Sequence, residues 1–107
     1  MELLNTYKNN IISLCETYQV DTLYVFGSIL TSNFKEHSDI DFIVSFLEIP
    51  FPNYSKNYFD FKNALESLLG RNVDLLEEQA IKNPYFKQSV NQSKLLIYGS
   101  RNKNMAI

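Results

Sequence analysis

Two runs rich in β-branched and aromatic residues, "TLYVFG" (Thr22–Gly27) and "DIDFIVSF" (Asp39–Phe46), stand eleven residues apart. Each reads as a buried strand. The segment between them, "SILTSNFKEHS", is too short and too mixed for a long helix. It predicts one or two helical turns beginning at Ser28, followed by a loop. Two strands joined in this way, one ending in Gly-Ser and the next opening on Asp39 and Asp41, restrict the chain to a small sheet with a polar corner at one end.

The flanking segments supply helices. From Glu2 to Tyr18 the residues Leu4, Tyr7, Ile11, Cys15 and Tyr18 recur at steps of three and four, which is one face of an amphipathic helix. The proline-containing stretch "EIPFPNYS" reads as a loop. Ser55 is then expected to cap a helix with Tyr58, Phe61, Leu65 and Leu68 as its inward stripe, and Gly70 to stop it in the left-handed conformation. "NVDLLE" reads as a third strand. Asn83-Pro84 is a cap followed by proline at the first helical position, opening a last helix that carries Phe86 and Val90. "KLLIY" reads as a fourth short strand or the end of that helix. The fold class is α/β, a small mixed sheet backed by helices. At 107 residues the chain is long enough for one core. Residues 1–98 are expected to form a single domain and 99–107 a polar, flexible tail.

Composition narrows the function classes. No apolar run approaches the roughly 20 residues that span a bilayer. The N-terminus lacks the basic and apolar regions of a signal peptide. One cysteine, Cys15, cannot form an internal disulfide. These features lead us to expect a cytoplasmic protein. A net charge of −2 argues against charge-driven nucleic-acid binding, so any nucleotide must be held locally.

Side chains alternate along a strand, so Asp39 and Asp41 share a face, with Cα atoms roughly 6.5–7 Å apart. Two carboxylates so placed repel unless a cation lies between them. Hard ions such as Mg²⁺ favour a few carboxylates completed by water and phosphate oxygens. Asp74, in "NVDLL", completes a triad if its strand lies beside "DIDFIV". Gly27 lets a ligand approach the main chain closely, and Ser28 opens a helical turn with free N–H groups and a hydroxyl suited to phosphate. A phosphate seat facing a carboxylate-held metal is the equipment of metal-assisted phosphoryl or nucleotidyl transfer. His37 has no second His or Cys at ligand spacing and reads as an exposed loop residue. Cys15 falls on the apolar stripe of the first helix and reads as core.

Gly27-Ser28, then Ser38-Asp39-Ile40-Asp41-Phe42-Ile43-Val44, then Asp74 in a "VDLL" strand, resembles the nucleotidyltransferases of the DNA polymerase β-like superfamily, and among them the minimal nucleotidyltransferases. The resemblance runs from the leading helix to the closing "LLIYG". It implies a polymerase β-like core in which Gly27 and Ser28 contact the β- and γ-phosphates. It also implies that Asp39, Asp41 and Asp74 are catalytic and metal-binding, with Asp74 assisting the attacking hydroxyl. Mg²⁺ is the implied cofactor and ATP the implied substrate. Members of that group act as antitoxins to HEPN-domain ribonucleases by transferring AMP to a toxin tyrosine, so a HEPN toxin is the implied partner, in a hetero- or homo-oligomer. No membrane and no direct nucleic-acid partner are expected.

One position pair departs from the family. Its Arg-Gly after the Gly-Ser is replaced here by Thr31-Ser32. An alternative therefore stays open, in which the site is degenerate and the protein neutralises its partner by binding alone. A small-molecule acceptor ranks last, for want of a second domain to hold it.

Overall fold

The computed structural model describes residues 2–50 and 52–99. Helices α1 (Glu2–Thr6) and α2 (Lys8–Thr17) lead into strand β1 (Val20–Phe26) and a 3-10 turn (Gly27–Leu30). Strand β2 (Ile40–Phe46), helix α3 (Asn53–Leu69) and strand β3 (Val73–Glu77) follow. A second 3-10 turn (Glu78–Ala80), helix α4 (Pro84–Ser93) and strand β4 (Leu95–Tyr98) complete the order.

The strands form one mixed sheet in the order β3-β2-β1-β4. β1 runs antiparallel to β2 and to β4, and β2 runs parallel to β3. The parallel β2–β3 pair needs a crossover connection, which α3 provides.

Period-2 alternation sorts the two faces of the sheet. Leu23 and Val25 of β1, Ile40, Phe42 and Val44 of β2, and Val73 and Leu75 of β3 are buried in one cluster with Leu4, Ile11, Cys15, Phe61, Leu65 and Leu69 from the helices. Cys15 is fully buried within it, and burial pushes its thiol up to about 12. Asp41 and Ile43 on β2 and Asp74 on β3 take the alternate positions and face the other way. Helix α4 covers part of that second face. Its Phe86 ring meets Phe26 edge-on at 6.1 Å, and Lys94 Nζ lies 4.1 Å above the Tyr24 ring. Ile43 and Val90 are buried on this side, outside the main cluster.

Some elements differ from expectation at their ends. The first helical segment is interrupted at Tyr7, whose backbone leaves the helical region although its N–H still reaches Leu3 O at 3.3 Å. Ser55 does not cap α3. The Asn53 N–H bonds to Pro50 O at 2.9 Å, and the helix starts three residues earlier than a Ser55 cap requires, with no side-chain cap. Leu68 packs partly buried against the core as expected, and Leu69 beside it is buried as well. Gly70 stops α3 in the left-handed conformation, and Asn83 Oδ1 accepts the N–H groups of Tyr85 and Phe86 ahead of Pro84. "KLLIY" contributes a strand. Of the tail expected over 99–107, everything from residue 100 onward lies outside the described residues. Among the described residues no helix is long and apolar enough to cross a membrane.

Candidate active site

Strand register decides where the three aspartates meet. In the β2–β3 ladder Asp41 pairs directly with Asp74, and in the β1–β2 ladder it pairs with Phe26, the residue before Gly27. Directly paired residues point to the same face, so Asp41 stands between the carboxylate of Asp74 and the end of β1. Asp39, one residue ahead of β2, is exposed, Asp41 is half-buried and Asp74 is exposed. Desolvation holds the Asp41 carboxyl above its ordinary range, and the charges of Asp74 and then Asp39 push it further in the same direction. The ionised form is disfavoured on both counts, and a cation at this point would relieve the repulsion.

Gly27 is the element that brings the turn to the carboxylate. Its φ of +83° lies in the left-handed region, and a Cβ built there would overlap the Asp41 carboxylate, 3.2 Å from Cγ. Only glycine allows this approach. Ser28 follows, half-buried, in a turn anchored by the buried Ile29. Thr31 closes it, since both its N–H and its hydroxyl donate to Ser28 O, at 2.9 and 2.8 Å. Thr31 Oγ1 in turn accepts the Asn33 N–H. At the position of the absent family arginine, then, stands a residue whose polar groups hold the turn itself.

The remaining geometry was not visible in the motif. Arg71 Nη1 donates to Lys35 O at 2.7 Å and to Ser38 O at 3.2 Å, and its guanidinium lies 4.4 Å above the Phe34 ring. Asn72 O accepts the Ile40 N–H, and Glu66 Oε2 accepts the Val73 N–H. No spacing rule ties Arg71 to a loop more than 30 residues earlier; the only cue was an arginine directly after a helix-stopping glycine. His37 is exposed, as expected. It borders a polar cleft of about 660 Å³, lined also by Glu36, Ser38, Asn63, Glu66 and Arg71, which reaches the aspartates only through Asp39.

The oxygen-only donor set suits a hard divalent cation. Among the described residues no three His, Cys, Asp or Glu side chains form a ready cage. The fit is therefore to an ion that takes one or two carboxylates and completes its shell with phosphate and water, as Mg²⁺ does.

Comparison with known proteins agrees with this architecture. A family model described as polymerase beta, nucleotidyltransferase, matches residues 9–104. The chain is 44% identical over 85 residues to MJ0128 of Methanocaldococcus jannaschii, provisionally named a protein adenylyltransferase, covering 79% of this chain and 82% of that protein. It is similar to a solved structure of a provisionally named minimal nucleotidyltransferase, with a TM-score of 0.72 and 30% identity, over 88% of this chain and 92% of the other. It also shares its fold with a complex of a tri-AMPylated Shewanella oneidensis HEPN toxin and an MNT antitoxin. There the TM-score is 0.65 at 20% identity, over 94% of this chain and 76% of the other.

Proposed function

Because the chain belongs to the polymerase beta nucleotidyltransferase family, we propose that it moves AMP from ATP to a tyrosine hydroxyl of a HEPN-domain toxin and acts as that toxin's antitoxin. The observation that carries this reading is the placement of Asp41 directly beside Asp74 on one side and against the Gly27 backbone on the other. The provisional name of the M. jannaschii relative and the AMPylated toxin in the Shewanella complex support the choice of AMP and of partner.

Each residue then has a task. Gly27 and Ser28 receive the β- and γ-phosphates, with the Ser28 hydroxyl and backbone N–H groups as donors. Asp39 and Asp41 would hold Mg²⁺, with Asp74 as the third carboxylate, and the ion would supply positive charge to offset that of the phosphate oxygens. Asp74, exposed on the outermost strand, accepts the proton of the incoming hydroxyl. The acceptor oxygen bonds to the α-phosphorus, the bond from that phosphorus to the bridging oxygen breaks, and pyrophosphate leaves. Asp74 is exposed on the edge strand, so a partner can bring its tyrosine to it.

The test is transfer from ATP labelled at the α- or the γ-phosphorus, with Mg²⁺ and a HEPN-domain partner. The α-label is expected on the partner and the γ-label only in pyrophosphate, with no transfer by Asp39→Asn/Asp41→Asn. Transfer of the γ-label, or full transfer by the double variant, would overturn the proposal.

One observation favours a second reading, neutralisation by contact alone. Thr31 replaces a phosphate-holding arginine, and its hydroxyl is engaged with Ser28 O. That reading requires the double variant to protect cells as well as wild type does.

A further inference from the structure

Asp39 has no strand around it. It precedes β2, its side chain is exposed, and the seven residues before it form no regular helix or strand. A metal ligand in such a position is useful only if its backbone is fixed by something else. The structure shows what fixes it. The carbonyl of Ser38, just before Asp39, accepts from Arg71 Nη1, and the N–H of Ile40, just after it, donates to Asn72 O at 3.1 Å. Two consecutive residues thus grip the chain on either side of Asp39.

The Arg71 grip extends further than one bond. The same nitrogen holds Lys35 O, which also accepts the Ser38 N–H, while Ser38 Oγ accepts the Lys35 N–H. The turn 35–38 is closed on itself and then pinned as a unit. The guanidinium plane rests on the ring of Phe34, which packs against the hydrophobic core. A planar, always-charged guanidinium can lie on the ring and still reach both carbonyls from one nitrogen, which a compact ammonium does less well. Arg71 also stands three residues before Asp74 and two before the start of β3. It therefore ties the carboxylate ahead of β2 to the strand that carries the third one.

We infer that Arg71 is a positioning residue for metal binding: by holding Lys35 O and Ser38 O over the Phe34 ring, it fixes Asp39 relative to Asp41 and Asp74. The inference rests on the proposed metal-dependent transfer. It adds a residue that touches neither phosphate nor metal, and whose substitution acts on ligand geometry rather than on the fold.

The test is Mn²⁺ binding in the presence of a non-hydrolysable ATP analogue, read from the electron paramagnetic resonance of the free ion, with melting temperature recorded alongside. Partners that orient metal ligands typically matter by 10- to 100-fold, so Arg71→Ala is expected to weaken Mn²⁺ binding by roughly 10-fold. Its melting temperature should stay near that of wild type. Arg71→Lys should fall between the two, since it keeps the charge and N–H donors but loses the planar guanidinium that rests on the ring while reaching both carbonyls. Should Arg71→Ala fail to fold, Phe34→Leu removes the ring beneath the guanidinium while staying apolar, and is expected to weaken Mn²⁺ binding in the same direction.

Unchanged binding in a folded Arg71→Ala variant, or in Phe34→Leu where only that variant folds, overturns the inference. So does an equal loss in Arg71→Ala and Arg71→Lys that tracks a fall in melting temperature, which is the behaviour of a purely structural contact. Wild type that binds no Mn²⁺ with nucleotide removes the proposed function together with this inference. Binding that is lost in Asp39→Asn and kept in Arg71→Ala removes the inference alone.

Discussion

Asp41 on β2 stands beside Asp74 on β3 in a parallel ladder, two acidic side chains on one face with desolvation and repulsion both opposing ionisation of Asp41. A fold gains nothing in stability from such a pair. The arrangement makes physical sense as the protein's side of a cation site, and its cost should be measurable.

Asp41→Asn should raise stability at neutral pH while removing transfer. A carboxyl whose folded pKa exceeds its unfolded value binds its proton more tightly in the folded state. Stability therefore falls as pH rises from 3.8 through the raised value, and stays lower above it. The asparagine variant escapes this loss. Thermal melts at several pH values should show it melting above wild type at pH 7, with the difference gone below the ordinary carboxylate range. A variant that melts below wild type at pH 7 would contradict this account of Asp41.

Gly27→Ala should destabilise the protein by about 1–3 kcal/mol from the left-handed backbone alone, with a further cost from the overlap with Asp41. The second part depends on the carboxylate being there. In urea unfolding, Gly27→Ala combined with Asp41→Ala should lose less than the sum of the two single changes. Strict additivity would mean that the close approach of Gly27 to Asp41 carries no energy.

The core on the other face should behave conventionally. Phe61 is fully buried, with the rings of Tyr18 and Phe46 each 5.9 Å away. Phe61→Ala should cost about 3–5 kcal/mol in urea unfolding. A cost below 1 kcal/mol would mean that α3 is not seated on the sheet as described.

Much of this was legible in the sequence, for reasons that can be named. Gly27-Ser28 and Asp39-Ile40-Asp41 lie within fifteen residues of one another, and period-2 alternation puts Asp41 on the face opposite Ile40 and Phe42. Asp39, expected to open the strand, lies one residue ahead of β2, where that rule does not reach. Asn83-Pro84 and Gly70 act through their own backbones, so local chemistry was enough to place them. Ser55 misled because a good capping residue loses to a turn that begins earlier, at Pro50. The pairing of Asp74 with Asp41 could be stated only as a condition, because strand neighbours are set by the α3 crossover and not by either strand's own pattern. The role of Arg71 left little trace in the sequence, since its hydrogen-bond partners are main-chain carbonyls, which leave no mark on side-chain identity.

The most direct measurement of the central claim is the intact mass of a HEPN-domain partner recovered from cells with this protein, wild type and Asp39→Asn/Asp41→Asn in parallel. The account predicts AMP-sized increments on the partner with wild type and none with the double variant. A partner that is unmodified and equally bound by both would contradict it, and would leave the aspartates as remnants in a protein that acts by contact.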